Sequence, residues 1–140
     1  MRFVLDNSVV MRWLLKDGSD ERLAYAARVL DLLTQDTGEA LVAGVWPLEV
    51  ANVLVKAQTK GFVSEARATA FVGLLGEMAV TPDPGTASRA LGDTLQLARR
   101  FELSSYDAAY LELALREGLP LATLDADLQS AMVQVGGTLV

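Results

Sequence analysis

Five carboxylates in this 140-residue chain stand where apolar, strand-like runs give way to helical patterns. They are Asp6 in Phe3-Val4-Leu5-Asp6-Asn7-Ser8, Glu49 in Trp46-Pro47-Leu48-Glu49-Val50, and Asp107 in Ser105-Tyr106-Asp107-Ala108. Asp125 and Asp127 follow in Thr123-Leu124-Asp125-Ala126-Asp127-Leu128. The chain has no His and no Cys, so chemistry at such a group runs on carboxylates. Carboxylates crowded into one pocket raise one another's pKa and cost stability unless a cation sits among them. For an all-oxygen donor set the simplest cation is a hard divalent metal, Mg²⁺ or Mn²⁺. The pattern points to metal-dependent phosphodiester chemistry.

These acids need elements to position them. Residues 3–5 form a short apolar run that predicts a buried strand. Helices are expected at 8–15 and 21–34, the second with Leu23, Ala26, Ala27, Leu30 and Leu33 near one face. Leu41-Val42-Ala43 reads as a strand, and Pro47 suits the first turn of the next helix, which ends by Gly61. Ser64 caps a helix to about Glu77, and residues 78–81 form a short strand before the turn Pro82-Asp83-Pro84-Gly85. Helix is expected over 86–100 and again from Ser104 to about Arg116, stopped by Gly118 and Pro120. Leu121–Leu124 is a strand, 125–134 a helix and 138–140 a last strand. Short apolar strands separated by helices predict an α/β fold with a mostly parallel sheet. The stretch 48–100 is expected to pack as a helical flank within a single domain, residues 1–140.

A 51% hydrophobic content indicates a packed chain rather than a disordered one. No apolar run approaches the ~20 residues of a membrane span, and Asp6 interrupts any leader-like start. The expected compartment is the cytoplasm. A net charge of −6 is unusual for a nucleic-acid binder. Five of the 18 acidic residues belong to the group above, however, leaving 13 against 12 basic. Much of the acidity is then the site itself, and a bound ion would offset it locally.

Each acid also has a bland reading. Asp6 and Asp125 can cap helices, Glu49 and Asp127 suit first turns, and Ser104 with Asp107 forms a capping-box-like S-x-x-D. Ser8 reads first as a helix cap, and otherwise as a group that orients Asp6 or a metal-bound water. Asn52 shares a helix face with Glu49 at i, i+3. Trp13, Trp46, Tyr106 and Tyr110 read as core or interface, because base stacking needs a solvent-facing ring. Together the acids read differently. In an open parallel sheet the strand carboxyl ends share one edge, where ligands bind. That edge would gather Asp6 and Asp125 from opposite ends of the sequence.

The chain resembles the PIN-domain ribonucleases, most closely the VapC toxins of toxin–antitoxin modules. The resemblance rests on Val4-Leu5-Asp6-Asn7-Ser8, Glu49-Val50-Ala51-Asn52-Val53-Leu54, Ser105–Ala114 and Leu121–Leu128, in that order along nearly the whole chain. It implies a PIN-like three-layer α/β/α fold. Asp6, Glu49, Asp107 and Asp125 match the family's acidic quartet, and Asp127 an additional acid of many members. Ser8 matches the usual hydroxyl after the first Asp, and Thr123 the usual Thr before the fourth acid.

The implied activity is endoribonuclease cleavage with one or two Mg²⁺ or Mn²⁺ ions, leaving 5′-phosphate and 3′-hydroxyl ends. The implied partners are an RNA substrate, a second copy of the chain and a VapB-type antitoxin that lays an amphipathic helix into a groove. Trp13, Leu14, Leu33 and the apolar face of 62–75 are candidate surfaces. Two other readings compete. A phosphatase of the haloacid dehalogenase type needs an Asp two residues after the first, where this chain has Ser8. A non-catalytic PIN-fold module would hold RNA or a partner without cutting.

Overall fold

The computed structural model describes residues 1–140. The element order is β1 (Arg2–Leu5), α1 (Asn7–Leu15), α2 (Asp20–Thr34), β2 (Glu39–Val42), α3 (Trp46–Thr59), α4 (Glu65–Glu77) and β3 (Val80–Pro82). It continues with α5 (Thr86–Arg89), a π-type turn at Ala90–Thr94, α6 (Leu95–Phe101), α7 (Ser105–Glu117), β4 (Leu121–Ala122) and α8 (Ala126–Gln134). The strands form one parallel sheet in the order β3-β2-β1-β4, the middle layer of an α/β/α arrangement. β1 is central. Phe3 pairs with Ala40 on one side and Val4 with Leu121 on the other. Phe3, Val4 and Leu5 are fully buried, as expected of a strand covered on both faces.

Because every strand runs the same way, all carboxyl ends lie on one edge. Asp6 follows β1, Gly44 lies just past β2, Asp83 follows β3 and Thr123 follows β4. The Asp6 amide donates to Ala122 O at 2.9 Å, which ties the exits of β1 and β4 together. α7 packs on β1 and β4 and contributes Ala109, Tyr110, Leu111 and Leu113 to a continuous apolar core.

Local chemistry explains the helix starts. Ser19, Ser64 and Ser104 each accept a hydrogen bond from the amide three residues on, a cap worth about 1 kcal/mol. Pro47 sits in the first turn of α3, where its missing N–H is not needed. α7 ends at Gly118 in the left-handed conformation, φ 64°.

The expected helix 86–100 is interrupted. Gly92 has φ −108° and ψ −108°, and the chain makes a π-type turn before α6 resumes. A glycine inside a helix gives up backbone freedom that it easily regains by a break. The expected strand at 138–140 is only a single bridge between Leu121 and Leu139. β4 is two residues long because Thr123 turns away to bond Asp6, so there is little strand to pair with. Pro82 closes the edge strand β3, a position that tolerates a residue without an amide donor.

Candidate functional site

Asp6 is only 4% exposed. It holds the N-cap position of α1 but makes no side-chain capping bond. Its Oδ2 instead accepts from Ser8 Oγ at 2.7 Å and from Thr123 Oγ1 at 2.7 Å. Ser8 Oγ also accepts from Leu124 N at 2.9 Å, and Thr123 Oγ1 from Asp125 N at 3.0 Å. The cap first read for Ser8 is therefore not made. Its hydroxyl bridges Asp6 to the β4 exit, because the tight turn after Leu5 points it at that loop rather than at its own helix. Burial pushes the Asp6 carboxyl up, the two hydroxyls and the Asn7 amide pull it down, and Asp125 pushes it up again.

The other acids gather around it. Asp107 enters from the first turn of α7, where its amide donates to Ser104 Oγ at 3.1 Å. Burial, then the charges of Asp6 and Asp125, push its pKa up to about 6, with a smaller push from Asp127. Glu49 stands in the first turn of α3, and burial raises its pKa, with Asp6 and Asp107 adding to the rise. Its Oε1 accepts from Tyr110 OH at 2.6 Å. Asp125 keeps its bland role as well, since Oδ1 caps α8 by accepting from Leu128 N at 2.9 Å. Asp127 is exposed at the rim of the group, and Asn52 is exposed with no hydrogen bond from its amide to the protein.

No Lys or Arg joins this group. The ion pairs of the chain all lie elsewhere. The donor set is oxygen only and its members repel one another, which suits a hard divalent ion. As placed, no three acids close around a common point. The carboxylates ring the sheet edge with mutual repulsion unrelieved, and gripping an ion requires side-chain rotation. Asp107, Asp127 and the free oxygen of Asp125 have the fewest bonds to break in doing so.

Two features escaped the sequence. Tyr110, read as core, is fully buried, yet its hydroxyl is the sole hydrogen-bond partner of the Glu49 side chain. An i, i+3 relation between Asp107 and Tyr110 put both on one helix face and was the available signal. Tyr106, also read as core or interface, is 58% exposed. With Asn7, Leu48, Glu49 and Asn52 it lines a cleft of ≈ 420 Å³ against the acidic group.

The parallel sheet and the carboxylates at its edge define an α/β protein with a polyanionic site of nuclease type. The sequence matches the PIN domain family over residues 3–132, and the chain belongs to that family. PIN domains are generally metal-dependent nucleases. No curated protein matches the sequence. Among solved structures, PAE2754 from Pyrobaculum aerophilum is similar with a TM-score of 0.66 and 23% identity, over 94% of this chain and 79% of that one. VapBC2 from Rickettsia felis, bound to a DNA fragment from its promoter, gives a TM-score of 0.67 and 10% identity, over 100% of this chain and 98% of the other. FitAcB from Neisseria gonorrhoeae gives 0.50 and 18%, over 99% and 96%. At these identities the likeness is one of fold.

Proposed function

We propose that this chain is a divalent-metal-dependent endoribonuclease, the toxin half of a VapBC-type pair. One observation carries the reading. A buried Asp6 stands among Glu49, Asp107, Asp125 and Asp127 with hydroxyls as partners and no basic side chain. Family membership and the names of the similar structures, VapBC2 and FitAcB, support it.

Asp6, Asp107 and Asp125 are assigned to hold Mg²⁺ or Mn²⁺, one or two ions, with Glu49 and Asp127 completing the set directly or through water. When bound, the ion supplies an activated water and offsets charge at the scissile phosphate. Ser8 and Thr123 fix the Asp6 carboxylate. Tyr110 fixes Glu49. Glu49 or Asp125 is assigned to take the proton of the attacking water, and Asp125 already engages one oxygen as a cap. The products are 5′-phosphate and 3′-hydroxyl ends.

The protein acts in the cytoplasm as a homodimer of single PIN domains, held inactive by a VapB-type antitoxin. Leu14 and Leu33 are buried core and offer no docking surface. Phe62, Val72 and Leu74 are exposed, and an apolar groove of ≈ 490 Å³ runs between α3 and α4 past Trp46, Val50, Leu54 and Leu75. That side of the molecule is assigned to partners.

The alternative reading is a PIN-fold module that binds RNA or a partner without cutting. One experiment separates the two. Purified protein and Asp6→Asn are incubated with total RNA in Mg²⁺, Mn²⁺ or EDTA, and the new 5′ ends are mapped. Discrete cuts that need both metal and Asp6 support the nuclease. Intact RNA, from folded protein that binds metal and is free of antitoxin, contradicts it.

A further inference from the structure

The cleft between α3 and α7 is distinct in chemistry from the acids it adjoins. Its outer wall is the exposed ring of Tyr106, and Leu48 beside it is 74% exposed. Asn52 presents an unbonded amide from α3. Asn7 forms part of the inner wall, and its Oδ1 is buried with no hydrogen-bond partner. No Lys or Arg lines the cleft. Its volume falls within the roughly 300–1,000 Å³ of small-ligand sites.

Position ties this cleft to the acids. Glu49 lines it, Asn7 follows Asp6, and Tyr106 precedes Asp107. A phosphodiester held at the carboxylates therefore places a flanking nucleotide against this surface. We propose that the cleft is a nucleobase subsite, in which Tyr106 stacks an unpaired base beside the scissile phosphate and the amides of Asn52 and Asn7 meet its edge. The proposal rests on the ribonuclease reading above and deepens it, since it names single-stranded RNA as the substrate and these residues as the source of base preference.

The wall chemistry favours a base over a protein segment. A solvent-facing ring offers a flat π surface that any base can use. Amides supply donor and acceptor together, the complement of a base's hydrogen-bonding edge. A cleft lined by Glu49, free of Lys and Arg and flanked by the other carboxylates repels a phosphate group, which keeps the backbone at the metal-binding edge and turns the base inward.

The test is cleavage of a randomised single-stranded oligoribonucleotide pool with Mn²⁺ by the unmodified protein, Tyr106→Phe, Tyr106→Ala and Asn52→Ala. Binding of the same pool in EDTA is followed by anisotropy. Tyr106→Ala is expected to raise KM and weaken EDTA binding about tenfold, and Tyr106→Phe to stay within about twofold, because stacking needs the ring and not the hydroxyl. Asn52→Ala is expected to flatten the base preference at one position next to the cut. If the unmodified protein cuts and Tyr106→Ala leaves KM, binding and base preference unchanged, the subsite is overturned, and a seat for a protein segment gives that result. If the unmodified protein neither cuts nor binds the pool, the ribonuclease reading falls and takes the subsite with it.

Discussion

Two buried acids end parallel strands on the same sheet edge, and their surroundings are opposite. Asp83, after β3, has its Oδ2 2.6 Å from Arg116 Nη2 and accepts further bonds from Thr86 Oγ1 and the Gly85 amide. Arg116 also reaches Glu112 Oε1 at 2.8 Å, which Arg89 approaches at 3.3 Å. The Arg116 bond and charge, with the two neighbouring donors, hold the Asp83 pKa below the usual carboxylate value despite burial. Asp6, after β1, is at least as buried and meets hydroxyls and other carboxylates instead. α7 serves both sites, with Asp107 and Tyr110 at the first and Glu112 and Arg116 at the second. The chain thus has the means to neutralise buried acids with arginine, and applies it at Asp83 and Glu112 but not at Asp6. The first cluster keeps its mutual repulsion, which the proposed function assigns to a divalent cation to relieve.

The largest effect should come from breaking the paired site. Arg116→Ala takes the only basic partner from Asp83 and leaves Glu112 with Arg89 alone, and is expected to cost about 3 kcal/mol, read by chemical denaturation. Divalent ions should not restore it. Asp6→Asn should do the opposite. Its amide oxygen still accepts from Ser8 and Thr123 while one buried charge disappears, so metal-free protein gains about 1 kcal/mol. Metal-dependent cleavage is lost in the same variant.

The acid edge and the paired site also differ in the sign of their pH dependence. Asp107 has a folded pKa raised from 3.8 to about 6, so the folded state binds its proton more tightly. Metal-free stability should then fall as pH rises through 4 to 6 and stay low above that, by about 1 kcal/mol after discounting for solvent screening of a partly exposed carboxylate. Asp83 contributes with the opposite sign, since its pairing is lost only as pH falls below the ordinary carboxylate value. Denaturation midpoints at pH 5 and pH 7.5, with and without Mn²⁺, check this. Mn²⁺ should stabilise more at pH 7.5. The smallest effect is expected from Tyr110→Phe, which frees Glu49 at a cost of about 1 kcal/mol in stability and should lower kcat more than it changes KM.

The sequence exposes the parts of this comparison that depend on local signals. Asp6, Asp107 and Asp125 are visible at element junctions, and Ser64, Ser104 and Pro47 announce their helices. The order of short apolar strands foretells a parallel sheet, and hence the shared edge. What stays hidden depends on contacts distant in sequence. Arg116 finds Asp83 across 33 positions, and Tyr110 finds Glu49 across 61. Neither spacing has a periodic signature. Tyr106 and Tyr110 look alike in sequence, yet one helical turn separates a solvent-facing ring from a fully buried one. Asp83 read as part of a turn, which it is, but its pairing with α7 follows only once β3 takes the sheet edge.

The most direct test of this difference is calorimetric titration of Mn²⁺ into metal-free protein at pH 7.5, beside Asp6→Asn and Asp107→Asn. Saturable binding by the unmodified chain is expected, accompanied by proton release and a raised melting temperature, with loss of all three in both variants. Folded protein that takes up no Mn²⁺, or variants that bind it as well as the unmodified chain, would contradict the claim that this acidic edge is kept open for a metal ion.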